Sequence, residues 1–424
     1  MKRLEFLEEC MDKIDNLDLL NRFLSYVRID TQSNHESLTC PSTDKQWDLI
    51  YYLERELREF GVDEVEVTEF GYVIAKIKSN SKRKNVSAIG FLAHVDTAYA
   101  ESGKANPIVH RNYDGKKIVL PDDPNIVLDP EEIPLLKEKI GEDIITASGK
   151  TLLGADDKAG VAICMSLARH LMRNKEIPHG DVYFCFNPDE EIGRGVHKLD
   201  LKKFPVRAAY TLDSEHLGQI DYETFSADAA TVTIKGVSAH PGSAKGFLVN
   251  AIRIANEFIS TLPTNIFPEE VEGRVGFIHP VGLNGGAEEA SIRFIIRDFE
   301  INGLEEKKAL LSGICKKLRE LNPKAKIDIE FKKQYRNMRY WLEKDMEVVD
   351  LAKQAIINSG LEPYSEAVRG GTDGSQLTEM GIPTPNIFTG FHNIHSVREW
   401  VSLQDMTKAV QVLVELVTIW EARS

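Results

Sequence analysis

The sequence predicts an α/β protein in which a mixed-sheet domain is interrupted by a smaller, ferredoxin-like βαββαβ domain. Three observations lead there. The chain has 424 residues, more than one simple core accommodates. Three short apolar runs each end in a histidine or an acidic residue, as buried strands do when their carboxyl ends carry a site. From residue 225 to 335 the pattern changes to strand, helix, strand, strand, helix, strand. The expected division is therefore residues 1–223 and 337–424 for the larger domain and 224–336 for the insert.

In order along the chain, the spacing of apolar residues predicts helices over 17–26 and 45–60, then strands over 65–68 and 72–77 joined by a turn at Gly71. The apolar run 87–93 leads into His94-Val95-Asp96. A polar, proline-containing excursion over about 103–141 follows, placed to cover or border a cleft. A helix over 158–172 comes next, then strands over 181–187 and 208–212 that deliver Asp189-Glu190-Glu191 and Asp213. The insert reads as strand 229–235, helix 250–261, strands 274–278 and 290–298, helix 304–321 and strand 326–331. After it come a helix over 346–359, the glycine-rich loop Arg369-Gly370-Gly371-Thr372-Asp373-Gly374, a helix through Met380, a strand over 385–388, His395 and a closing helix over 402–422.

Hydrophobic residues at 42% and charged residues at 28% are those of an ordinary globular protein. A formal net charge of -14 argues against nucleic acid, which a chain without a concentrated basic stripe repels. Five cysteines, Cys10, Cys40, Cys164, Cys185 and Cys315, show no CxxC spacing and are expected as free thiols in a reducing compartment. The charged, helix-patterned residues 1–9 lack a signal-peptide core, and no apolar run approaches the ~20 residues of a membrane span. The expected location is the cytoplasm.

His94 and Asp96 lie two apart, so in an extended segment both side chains share a face. His94 is the better metal ligand, and Asp96 suits a supporting role. Asp156 and Asp157 stand where the chain enters a helix. One aspartate is explained as a cap, the other as a carboxylate whose two oxygens bridge two cations, and Asp156 is assigned the bridge. Glu190 and Glu191 repel each other unless something positive lies close. One can bind metal while the other moves the proton of an attacking water. Asp213 would complete the set.

The ordered series His94-x-Asp96, Gly154-Ala155-Asp156-Asp157-Lys158-Ala159-Gly160, Asp189-Glu190-Glu191-Ile192-Gly193, Asp213, His240-Pro241-Gly242 and His395 resembles the M20 metallopeptidases over nearly the whole chain. The resemblance implies a zinc-peptidase catalytic domain with an inserted lid. It implies two zinc ions per subunit, one held by His94, Asp156 and Asp213, the other by Asp156, Glu191 and His395. Glu190 would be the general base, Asp96, counted with it among the catalytic residues, would support the His94 end, and the Asp156-Asp157 peptide would be cis. His240 would stabilise the developing oxyanion, and Arg297 and Arg369 would anchor a peptide carboxylate. The activity implied is release of the N-terminal residue from short peptides, tripeptides above all, by metal-activated water. The same centre would serve a dipeptidase, a carboxypeptidase or an N-acyl-amino-acid deacylase, and the scaffold alone would serve a non-catalytic peptide-binding protein. Short peptides are the expected partners, with no nucleic acid and no membrane, and a homodimer through the smaller domain is expected by analogy.

Overall fold

A computed structural model describes residues 14–62, 64–101 and 103–423. Cys10 and the stretch 1–9 lie outside the described residues. The chain forms two compact units. The first runs to Tyr222, resumes over Trp341–Glu366 and continues from Thr372; the second comprises Glu223–Tyr340 with Ala367–Gly371.

The first unit opens with helix α1 (Asn16–Val27), capped by the Asp15 carboxylate, which accepts from the Asp18 amide, and helix α2 (Gln46–Glu59). Strands β1 (Glu64–Val67), β2 (Val73–Ile77) and β3 (Ile89–His94) follow, then helix α3 (Ala155–Arg173) and strands β4 (Val182–Asn187), β5 (Ala208–Ser214) and β6 (Ile220–Asp221). The second unit contributes β7 (Ser226–Lys235), α4 (Ala251–Thr261), β8 (Phe277–Gly285), β9 (Glu289–Asp298), α5 (Ile301–Leu321) and β10 (Lys326–Tyr335). The first unit then closes with α6 (Glu347–Asn358), α7 (Asp373–Glu379), β11 (Asn386–Phe388) and α8 (Leu403–Arg423).

Seven strands make the central sheet in the order β1-β2-β4-β3-β5-β11-β6. Its middle, β4, β3, β5 and β11, is parallel, and the flanking pairs are antiparallel. The mixed α/β sheet with a βαββαβ insert is the fold class the sequence predicts. Every residue of β3 and β4 is buried because both faces are covered. Phe91, Phe184 and Phe186 pack on one face with α3 and α8, while Leu92, Tyr183 and Cys185 pack on the other with Phe204 and Leu377. Two covered faces are why these strands read as unbroken apolar runs rather than alternating ones.

The excursion over 103–141 turns out to hold a small core of its own: Tyr113, Ile118, Leu120, Leu128 and Leu136 bury against Ile144 and Trp400. Ile108–His110, Ile144–Thr146, Trp400–Ser402 and Phe391–His392 form a four-stranded antiparallel sheet. That sheet presents the loop bearing His395.

In the second unit the order is β8-β9-β7-β10, all antiparallel, with α4 and α5 buried on one face. The strand expected over 274–278 instead occupies Phe277–Gly285. Pro280, Gly282 and Gly285 disguise it, and they are tolerated because β8 is an edge strand with a register shift between Pro280 and Gly282. Glu223–Thr224 pairs in parallel with Ala367–Val368, which ties 367–371 to this unit. Among the described residues no helix is long and apolar enough to cross a membrane, and Cys40, Cys164, Cys185 and Cys315 are free.

Candidate metal centre

Parallel strands bring their carboxyl ends to one edge of the sheet, and the site collects there. His94 ends β3, and Asp156 lies at the start of α3 behind Gly154, whose φ of 77° turns the chain into the helix. Glu190 and Glu191 occupy a short 3-10 turn after β4, and Asp213 lies near the end of β5. His395 comes from the loop between Phe391–His392 and Trp400–Ser402. The structure thus gathers His94, Asp96, Asp156, Glu190, Glu191, Asp213 and His395 from five separate segments.

Asp156 is the hub. Its Oδ1 lies 3.0 Å from His94 Nε2, and its Oδ2 lies 3.2 Å from His395 Nε2. His395 Nε2 is also 3.0 Å from Glu191 Oε2, and Asp213 Oδ1 is 3.9 Å from His94 Nε2. On the far side of the His94 ring, Nδ1 lies 3.1 Å from the Asp96 carbonyl oxygen, a contact that leaves Nε2 to face the site. Asp96 is fully buried, and its carboxylate accepts from the amides of Glu190 and Glu191 at 3.0 and 3.2 Å. It therefore fixes the turn carrying both glutamates as well as standing beside His94.

So many carboxylates in one buried place cannot all be ionised without positive charge. Burial pushes Glu190 and Asp213 well above the usual range, with Asp156 adding to the rise of Asp213 and His94 opposing that of Glu190. Glu191 is pushed up to about 7 by burial and then by Asp156, against the hydrogen bond from His395. For Asp156, burial is outweighed by hydrogen bonds from His395 and His94, and its pKa falls below the usual range. Its two partners rise in turn: His395 reaches about 11 through Asp156 and Glu191, and His94 climbs well above an ordinary imidazole despite its burial. Protons here do the work that cations are suited to do.

The donors fit zinc, being imidazole nitrogens and carboxylate oxygens with one carboxylate facing both histidines. Two triplets of ligand atoms lie within 4.8 Å, Asp156 with Glu191 and His395, and His94 with Asp213 and Asp157. For the second triplet Asp156 is the better third member. Asp157 is fully buried, and its oxygens already accept from the amides of His94 and Gly160, both at 3.1 Å. The Asp156-Asp157 peptide is cis.

Several supporting residues were not assigned from the sequence. Glu399, 1% exposed, accepts from the Gly154 amide at 2.7 Å and the Asp156 amide at 2.9 Å, which makes it a clamp on the backbone that carries the hub. Asp189 adopts φ 64° and accepts from the Ser42 amide at 3.0 Å and Gln46 Nε2 at 2.8 Å, pinning the approach to Glu190. Asp373, from the glycine-rich loop, accepts from Asn187 Nδ2 at 2.5 Å. Lys158 is buried and donates to the Ile29 carbonyl at 2.7 Å; burial lowers its pKa to about 8. Only its place four residues after His395 hinted at Glu399.

His240, Arg297 and Arg369 belong to the second unit. The exposed His240 accepts at Nδ1 from the Gly242 amide at 3.1 Å, leaving Nε2 outward of that turn. Arg297 donates through Nη1 to Gln334 at 2.8 Å and to the Ile296 carbonyl at 3.2 Å. Arg369 donates to the carbonyls of Val271, Gly273 and Val275 and lies over the rings of Phe225 and Phe277.

An α/β fold with this donor cluster at the strand ends defines a metal-dependent hydrolase. Residues 150–419 match the model described as Peptidase family M20/M25/M40. A protein named Peptidase T from Geobacillus thermodenitrificans (strain NG80-2) is 46% identical over 408 residues, spanning 96% of this chain and 99% of that protein. A Peptidase T from Listeria monocytogenes serotype 4b (strain CLIP80459) is likewise 46% identical over 407 residues, with 96% and 99% covered. Among solved structures, aminopeptidase PepT from Bacillus cereus ATCC 10987 superposes with a TM-score of 0.73 at 24% identity, over 96% of this chain and 99% of that one. A tripeptidase from Staphylococcus aureus subsp. aureus mu50 gives 0.76 at 22%, with the same coverage. These two share the fold. The chain belongs to peptidase family M20/M25/M40 and is a metallopeptidase.

Proposed function

We propose that this metallopeptidase is a two-zinc tripeptide aminopeptidase. The observation that carries the reading is Asp156, whose two carboxylate oxygens face His94 and His395 separately. His94, Asp156 and Asp213 would hold one ion, and Asp156, Glu191 and His395 the other. When bound, zinc supplies Lewis acidity toward the scissile carbonyl and lowers the pKa of water.

Glu190 is the general base. It stands on a turn fixed by Asp96, and its burial raises its proton affinity, which suits a group that takes a proton from water and returns it to the departing amine. His240 is the proposed donor to the carbonyl oxygen. Of the two arginines proposed for a peptide carboxylate, Arg297 keeps Nε and Nη2 uncommitted among the described residues, whereas Arg369 spends both terminal nitrogens on backbone carbonyls. We place the protein in the cytoplasm and propose that it works as a homodimer, with short peptides as substrates.

The test is zinc content measured beside cleavage of a free-amine tripeptide, its N-acetylated form, and matched di- and tetrapeptides. Two zinc ions lost together on Asp156→Asn, as a paired centre requires, and hydrolysis confined to the free-amine tripeptide are expected. Preference for the acetylated or dipeptide substrate would reassign the site to a deacylase or dipeptidase, and zinc without any hydrolysis would leave a binding protein. Glu190→Gln should keep its zinc and lose turnover by ~10²–10⁴-fold. Loss of zinc in that variant would mean that the two adjacent glutamates have exchanged roles.

A further inference from the structure

The first unit contains another set of metal-type donors that the peptidase centre does not use. Glu215 and His216 stand where the chain turns after β5, and His392 lies on the short strand Phe391–His392. One ligand atom from each lies within 4.8 Å of the others. His392 is only 3% exposed, and neither of its ring nitrogens has a hydrogen-bond partner among the described residues. Its Nδ1 is 3.9 Å from Glu215 Oε2, too far for a hydrogen bond.

The bland account is aromatic packing. The His392 ring does lie against His216, with centroids 5.0 Å apart, and against Trp400, at 4.4 Å. Packing explains the ring but leaves two buried polar nitrogens unsatisfied, an arrangement that opposes folding. A phenylalanine or leucine would pack there without that cost. Burial also holds the imidazole at a pKa of about 4, so it is neutral and has a lone pair to offer.

We propose that Glu215, His216 and His392 form a third site, for a divalent transition-metal ion of the zinc type. Two imidazoles and one carboxylate favour such an ion over calcium or magnesium, which take oxygen ligands. Donors bound to one tetrahedral zinc at ~2.0–2.2 Å lie roughly 3.3–3.5 Å apart. The 3.9 Å gap therefore closes with a small rotation of the Glu215 side chain, which is 42% exposed and gives the ion a route from solvent. Three protein donors leave a fourth position open, so this ion exchanges with added ligand.

The test is zinc stoichiometry of the full chain after chelator stripping and titration against a chromophoric chelator. Wild type should bind three equivalents. His216→Phe, which keeps a ring for stacking, should bind two, and Glu215→Gln should lose the same equivalent without disturbing the packing. With Co²⁺ in place of Zn²⁺, the visible band of the third equivalent should vanish in both variants. Asp156→Asn removes the proposed paired centre and should leave the third equivalent in place, so failure of the paired centre is told apart from failure of this one. Two equivalents in wild type, or a third that survives both His216→Phe and Glu215→Gln, overturns the proposal.

Discussion

Replacing Glu399 by glutamine tests whether the hub of the metal centre is held in place from behind. The carboxylate accepts two backbone amides, those of Gly154 and Asp156, at 2.7 and 2.9 Å. A glutamine has one acceptor oxygen and one NH₂ group, so one amide must face a donor in a site that is 1% exposed. A lost hydrogen bond to a charged acceptor and the orphaned amide together amount to about 2–3 kcal/mol. Burial raises the Glu399 pKa to about 7, so the carboxylate accepts both amides fully only above that pH, and the comparison belongs at pH 8. If the clamp sets the position of Asp156, zinc affinity falls as well, by ~10–100-fold. The assay pairs urea unfolding in chelator with a zinc competition titration of each variant. Glu399→Asp keeps the charge but reaches only one amide, and should fall between wild type and Glu399→Gln. A variant destabilised as expected whose zinc affinity stays within about twofold of wild type would refute the reasoning and reduce Glu399 to a structural acid.

Two further outcomes follow from the same geometry. In metal-stripped protein, Glu191 and Asp373 each rise from their ordinary values to about 7, and His395 rises from 6.5 to about 11, burial leading for the acids and hydrogen bonds to Asp156 and Glu191 for the histidine. At these three groups the folded state binds more protons than the unfolded state, so the stability they contribute is present below their unfolded values and is lost as pH rises, through about 7 for the two acids and on toward about 11 for the histidine. Urea midpoints should fall across that window without metal and flatten once zinc is restored; a rise in the stripped protein would contradict the assignment. Gly160→Ala should destabilise by ~1–3 kcal/mol, since its Cβ would lie 2.3 Å from both Asp157 Oδ1 and the Leu212 carbonyl. An unchanged thermal midpoint would show that α3 can back away from β5.

Much of this was legible because the informative strands are buried on both faces. In β3 and β4 no polar residue interrupts the run before His94 and Asn187, so the donors stand out as the first polar residues after an apolar strand. The insert was readable from its alternation of periods, apart from β8, where an edge position permits Pro280 and glycines that sequence patterns read as a turn. Glu399, Asp189 and His392 were not legible. What each one does depends on chain segments more than a hundred positions away, Gly154 for Glu399, Gln46 for Asp189 and His216 for His392. No local pattern records such distant company. The small core of the excursion was hidden for a related reason, because its few apolar residues find their partner in Trp400, far along the chain.

The placement of His395 also has a consequence for biosynthesis. His94, Asp156 and Asp213 all leave the ribosome before any of the second unit is made, whereas His395 emerges only after all of that unit. The donors proposed for one ion thus exist early, and those for its neighbour are completed only once residue 395 has been made. A product cut short before position 395 is left with half a centre, so competence waits on a segment made after the whole of the second unit.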